Sequence, residues 1–146
     1  MYVDEFEREL VILAYDLKNL LRECVAPVCL EYGITLQQLH VLVMLQQQPG
    51  VTLSELSQRA GILRTNFSAI CRKLENSGLI ERKRNNQDRR ACELFVTKQG
   101  RELLGVIAQT VRQKNKQLFA GETPETFATI MEGFHALESL IAKARV

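Results

Sequence analysis

Arg64, Thr65, Asn66 and Ser68 open a segment whose other side is apolar, with Phe67, Ile70, Cys71 and Leu74 recurring at helical steps. Those four polar types can read a base edge. An arginine fork bonds O6 and N7 of guanine, an asparagine amide bonds N6 and N7 of adenine, and a hydroxyl serves either base or a phosphate. Arg72 and Lys73 continue the polar side of the same segment. Shortly after it, Arg82, Lys83, Arg84, Arg89 and Arg90 flank the polar stretch Asn85-Asn86-Gln87-Asp88. From Arg59 to Arg90 there are nine bases, but only Glu75, Glu81 and Asp88 oppose them. The whole chain is just +2, and residues 1–30 hold six acids against three bases. A basic cluster of that density around one turn points to a polyanionic partner. Asp88 would repel phosphate, so it is expected to pair with Arg90 or a neighbouring arginine and fix its direction.

Side chains reach a groove only if rigid elements hold them there. Thr52-Leu53-Ser54-Glu55 has the pattern of a capping box and opens a short helix with Leu56 and Ala60 inward, closed by Gly61. A second helix is expected from about 64 to 77, ended by Gly78. Two short helices joined by a glycine-containing turn make a helix-turn-helix. Leu79 to Arg84 and Cys92 to Val96 then read as two strands of a hairpin, a wing whose basic tip suits the minor groove.

On the N-terminal side, Phe6, Leu10, Leu13, Leu17, Leu20, Leu21, Cys24 and Val28 predict one long amphipathic helix over about 4–31, kinked near its end by Pro27 and stopped by Gly33. Thr35 and Gln38 form another capping-box pattern. The helix they open is apolar on more than one side, as a central helix would be. On the C-terminal side, Thr97 is expected to cap a helix running to about Phe119. Thr123-Pro124 opens the last helix, with Phe127, Ile130, Met131, Phe134, Leu137 and Ile141 on its stripe. The first and last helices each carry apolar stripes that the central module cannot wholly cover, which predicts packing against a second copy of the chain.

The remaining chemistry is sparse. There is no GxSxG, no HExxH, no phosphate-cradling glycine loop and no paired histidines, so no enzyme is expected. Cys24, Cys29, Cys71 and Cys92 lack any CxxC spacing and read as reduced thiols. His40 and His135 lie far apart, and neither a metal nor another cofactor is expected. No apolar run approaches the ~20 residues of a membrane span. The acidic start is unlike a secretory signal, and a cytoplasmic protein is expected.

The motifs resemble those of the multiple-antibiotic-resistance regulator (MarR) family. The resemblance lies in Leu53-Ser54-Glu55-Leu56, in Leu74-Glu75-Asn76-Ser77-Gly78-Leu79-Ile80-Glu81-Arg82, and in Asp88-Arg89-Arg90-Ala91 leading through Leu94 and Val96 to Thr97-Lys98-Gln99-Gly100. It implies a homodimer whose termini interlock and whose two winged lobes grip a pseudo-palindromic operator in double-stranded DNA. It also implies repression, relieved in many members by a small aromatic or lipophilic effector that enters a crevice between the dimerisation and DNA-binding regions. Two departures stand out. Ala69 occupies a position where many members carry a recognition-helix arginine. Val11 occupies the position of the peroxide-sensing cysteine, and residues 97–119 lack the histidines of zinc-sensing members.

The expected fold is therefore mainly α with a small β-hairpin wing, one domain over 1–146. The winged helix-turn-helix spans 51–97, between dimerisation helices at 1–34 and 120–146. The expected DNA contacts are Arg64, Thr65, Asn66, Ser68, Arg72, Lys73, Arg82, Lys83, Arg84, Asp88, Arg89 and Arg90. Leu17, Leu21, Cys24, His40, Met44 and Ile107 are expected to line the effector crevice. The rival function is a winged-helix module for protein–protein contact. The basic wing argues against it, because docking a protein needs no such charge.

Overall fold

The computed structural model describes residues 3–84, 87 and 91–145. Two compact units divide the chain, one up to Lys114 and one from Asn115 onward.

In the first unit, helix α1 (Val3–Cys24) is followed after Val25 by the short α2 (Ala26–Glu31). The single helix expected over 4–31 is thus two helices. The break falls at Val25 because Pro27 lies in the first turn of α2, where its missing N–H is harmless, rather than inside one continuous helix. No residue of α1 is buried within the chain, whereas Val28 and Cys29 of α2 are core.

Helix α3 (Leu36–Gln47) opens with the expected capping box. Gln38 donates its backbone N–H to Thr35 Oγ1 at 3.1 Å, and the Thr35 N–H donates to Gln38 Oε1 at 2.8 Å. Val41, Leu42 and Leu45 of α3 are fully buried, so this helix is central. Helix α4 (Leu53–Ala60) repeats the device with Thr52 and Glu55. Gly61 ends it in the left-handed region at φ 64°, where a side chain would be strained, and the chain turns into α5 (Arg64–Asn76). The helix-turn-helix expected over these residues is present.

Strands β2 (Ile80–Arg84) and β3 (Cys92–Val96) pair antiparallel, with Ile80 opposite Val96 and Arg84 opposite Cys92. A third strand, β1 (Val51–Thr52), pairs with the far edge of β3, giving the order β1-β3-β2. The two residues of β1 tie the start of α4 to the hairpin.

Helix α6 (Lys98–Lys114) is docked by its first turn. The Thr97 hydroxyl donates to the Gly78 carbonyl at 2.6 Å and accepts the Gly100 N–H at 3.1 Å, while the Thr97 N–H donates to the Leu79 carbonyl at 3.0 Å. Gly100 then sits so close that a Cβ there would stand 2.3 Å from the Leu79 carbonyl oxygen. At the other end, Lys114 pairs with Glu31, and Tyr32 Oη shares a 3.0 Å hydrogen bond with Thr110 Oγ1. Leu42, Leu45, Leu56, Phe67, Leu74, Ile80, Leu94 and Ile107 fill the core enclosed by these elements.

In the second unit, a 3-10 turn (Lys116–Phe119) precedes α7 (Pro124–Ala144). The helix expected to continue to Phe119 therefore ends at Lys114, and after Asn115 the residues Lys116–Phe119 coil more tightly. Thr123 caps α7 by accepting the Thr126 N–H at 3.3 Å, with Pro124 at the first helical position. Phe127, Ile130, Met131, Phe134, Leu140 and Ile141 of α7 are all exposed.

Candidate nucleic-acid interface

One face of α5 is committed to the core. Phe67, Cys71 and Leu74 are fully buried and Ile70 is half-buried, as a helical stripe requires. That commitment turns the opposite face outward. Arg64, Thr65, Asn66, Arg72 and Lys73 are exposed and Ser68 is half-buried. Arg64, Thr65 and Asn66 form the first turn of the helix, the end that points its unbonded N–H groups outward. Buried at the root of this helix, the Cys71 thiol is pushed up to about 11, chiefly by desolvation, with Arg82 pulling it down and Glu75 raising it.

The hairpin sorts its bases by strand alternation. Ile80, Arg82 and Arg84 lie on one side of β2, opposite Val96, Leu94 and Cys92 of β3, and Ile80, Leu94 and Val96 are buried. Arg82 and Arg84 thus stand on the side that packs on the helices. Arg82 lines a cavity of about 280 Å³ together with Arg64, Thr52, Leu53, Ser54, Ala91 and Cys92. Arg82 Nε also donates to Glu75 Oε2 of α5 at 2.9 Å. Lys83 projects from the other side. Its ammonium lies 3.6 Å from Glu81 Oε1 and 5.0 Å from the Phe95 ring centroid, a cation–π distance. The structure brings Arg64 and Arg82 together and separates Lys83 from them. Asp88, Arg89 and Arg90 lie outside the described residues.

The expected effector residues divide similarly. His40 and Leu21 share an apolar cavity of about 380 Å³ with Val25, Leu36, Gln37, Leu39 and Val43. Ile107 lines a second cavity of about 370 Å³, which also touches Val25, Leu39 and Val43. Leu17 is exposed, Cys24 is half-buried and Met44 packs partly against the core, and none of the three lines either cavity. Val25, Leu39 and Val43 are shared by both cavities, although sequence reasoning did not single them out. Val25 became available when the chain broke between α1 and α2. Among the described residues no group of three or more His, Cys, Asp or Glu is placed to hold a metal ion.

Residues 34–92, from the turn after α2 to the first residue of β3, match the MarR family model. This segment is similar to the MarR family. The match covers α3, β1, α4, α5 and β2, so both the exposed first turn of α5 and Arg82 lie inside the matched segment. Over a wider span, 116 residues are 28% identical to the homoprotocatechuate degradative operon repressor of Escherichia coli, covering 80% of this chain and 76% of that protein. A MarR transcriptional regulator from Methanosarcina mazei Go1 has the same fold, with TM-score 0.76, 21% identity and coverage of 95% and 98% of the two chains. FabT of Streptococcus pneumoniae, crystallised in complex with DNA, superposes with TM-score 0.69 at 23% identity, over 94% of this chain and 98% of that one. The mainly helical winged-helix architecture is thus the MarR fold.

Proposed function

We propose that this chain is a sequence-specific, double-stranded-DNA-binding transcriptional regulator, acting as a homodimer and repressing until a small effector enters. The observation that carries the reading is the two-sided character of α5. Its inner face is locked into the core by Phe67, Cys71 and Leu74, while Arg64, Thr65 and Asn66 are exposed on its first turn and Arg64 shares a cavity with Arg82. In helix-turn-helix proteins the N-terminal residues of the second helix meet base edges in the major groove. Arg84, together with Arg89 and Arg90 in the sequence that follows it, supplies the positive charge for phosphates and the adjacent minor groove. Naming of the Escherichia coli relative as an operon repressor, and the capture of FabT on DNA, support the same reading.

The homodimer is supported by apolar surface that the chain leaves uncovered. Val3, Phe6, Val11, Ile12, Leu13 and Leu17 of α1 are exposed, as is the stripe of α7, and two copies burying these faces would give the termini a dimerising role. No single helix among the described residues is long and apolar enough to cross a membrane, and with an operator as its partner the protein would work in the cytoplasm. An effector site is supported by the apolar cavity in which His40 supplies a titratable group. An aromatic or lipophilic acid would bury its body against Leu21, Leu36 and Leu39 and place its carboxylate near the imidazole.

Titration of random-sequence duplex DNA over a range of salt concentrations tests the reading. Binding should weaken steeply as salt rises, because each neutralised phosphate releases a counterion. Flat salt dependence, or no binding, would favour protein docking instead. In the same assay small aromatic acids should release the DNA, and His40→Ala should blunt that release; equal release from both proteins would place the effector elsewhere.

A further inference from the structure

Arg82 has two calls on its guanidinium. Its residue type and place put it among the bases expected to meet DNA, yet its Nε–H is engaged side-on by Glu75 Oε2 at 2.9 Å. The two side chains are 32% and 38% exposed, which shields the pair from solvent more than a typical surface ion pair. Glu75 lies in the last turn of α5 and Arg82 in the middle of β2, with the Gly78 turn between them. One helical turn before Glu75, Cys71 is fully buried, so the ion pair joins the two elements at the edge of the core.

We propose that Glu75 is a positioning residue for DNA binding, clamping β2 to the recognition helix through Arg82 so that α5 and the wing meet the duplex as one rigid piece. The proposal rests on the DNA-binding reading above. It explains why an acid sits among the bases of a DNA-facing lobe, where simple electrostatics would select against it. Ile80, Leu94 and Val96 bury the root of the hairpin in the core, and beyond that root the Arg82–Glu75 pair ties the middle of β2 to α5. Lys83, Glu81 and Phe95 interact with one another on the far side of the sheet, and β1 holds only the opposite edge. The part of β2 beyond Ile80, if free to move, would pay its ordering entropy on each binding event.

The distinguishing variant is Glu75→Gln, which keeps shape and helix propensity but removes the negative charge. If Glu75 merely repelled phosphates, its loss would tighten binding and steepen the salt slope. As a clamp, its loss should weaken binding roughly three- to tenfold and leave the salt slope unchanged, because no phosphate contact is lost. Amide hydrogen exchange of Ile80 to Arg84 in the free protein should quicken in Glu75→Gln and slow again when the pair is exchanged, Glu75→Arg with Arg82→Glu, a variant read by exchange alone because its carboxylate would face the DNA. Wild-type-like or tighter binding by Glu75→Gln, with unaltered exchange in β2, would overturn the proposal. A wild type that binds no DNA would overturn the functional reading instead, and with it this role for Glu75.

Discussion

Arginine, asparagine and the hydroxyls of α5 are distinguished from the hairpin bases by what each can contact. Asn66 and Arg64 offer bidentate edges on a rigid helical turn, whereas Arg84 offers charge at the end of a strand. Asn66→Ala should therefore cost ~1–3 kcal/mol on a preferred sequence and relax the preference for it. Arg84→Ala should weaken binding to all sequences alike and reduce the salt slope by about one. Competition assays with specific and random duplexes separate the two; identical behaviour would remove the division of labour between helix and wing. Cys71 gives a second residue-scale prediction. Its thiol ionises near pH 9.0 when unfolded and about 11 when folded, because burial disfavours the thiolate. Below pH 9 the group is protonated in both states and costs nothing. As pH rises from 9 through 11 the unfolded chain releases the proton first, so stability should fall across that window. Denaturant midpoints should drop less steeply there in Cys71→Ala, after allowing for its lower starting stability; an identical pH profile would contradict the assignment. The residue types of the interface were legible in the sequence, since the stripe Phe67, Cys71 and Leu74 already names the outward face. The sorting of the wing was legible only in part. A period of two separates Arg82 and Arg84 from Lys83, but the pairing of Arg82 with Glu75 depends on how the strand folds back across α5.

Elements whose signals are local appear where the sequence puts them. The capping boxes at Thr35 and Thr52, the proline start at Pro124 and the left-handed turn at Gly61 each involve residues a few positions apart. Features that depend on distant partners do not announce themselves. Strand β1 is two residues long and exists because β3 offers an edge to Val51 and Thr52. The break at Val25 reflects Val28 and Cys29 turning into the core, a direction that the stripe of α1 does not predict. The Thr97-to-Gly100 motif lies between these cases. Its spacing is visible in the sequence, and its reason is the docking of α6 on the Gly78–Leu79 turn, to which Thr97 donates two hydrogen bonds while its hydroxyl also accepts the Gly100 N–H, and Gly100 leaves room for a carbonyl. Gly100→Ala gains helix propensity but drives a methyl group into Leu79 O and Val96 Cγ1. Net destabilisation of about 1–3 kcal/mol is expected from such overpacking, visible as a lower melting temperature. An unchanged or raised melting temperature would show that α6 does not bear on the turn in this way.

On the scale of the whole molecule, the chain leaves two kinds of surface unfinished. Arg64, Thr65, Asn66 and Arg84 present a charged and polar face, and α1 and α7 present apolar ones. On the proposed function, a DNA duplex and a second copy of the chain would complete them. A two-fold dimer would set its two α5 helices into successive major grooves on one side of the duplex, about one turn (~34 Å) apart. The most direct test is selection of bound sequences from a randomised duplex pool by the wild-type protein, followed by footprinting of the enriched site. The predicted result is an inverted repeat with half-sites centred about one helical turn apart, and enrichment that collapses in Asn66→Ala. Recovery of no preferred sequence, or of a single unrepeated site protected equally well by Asn66→Ala, would contradict the account.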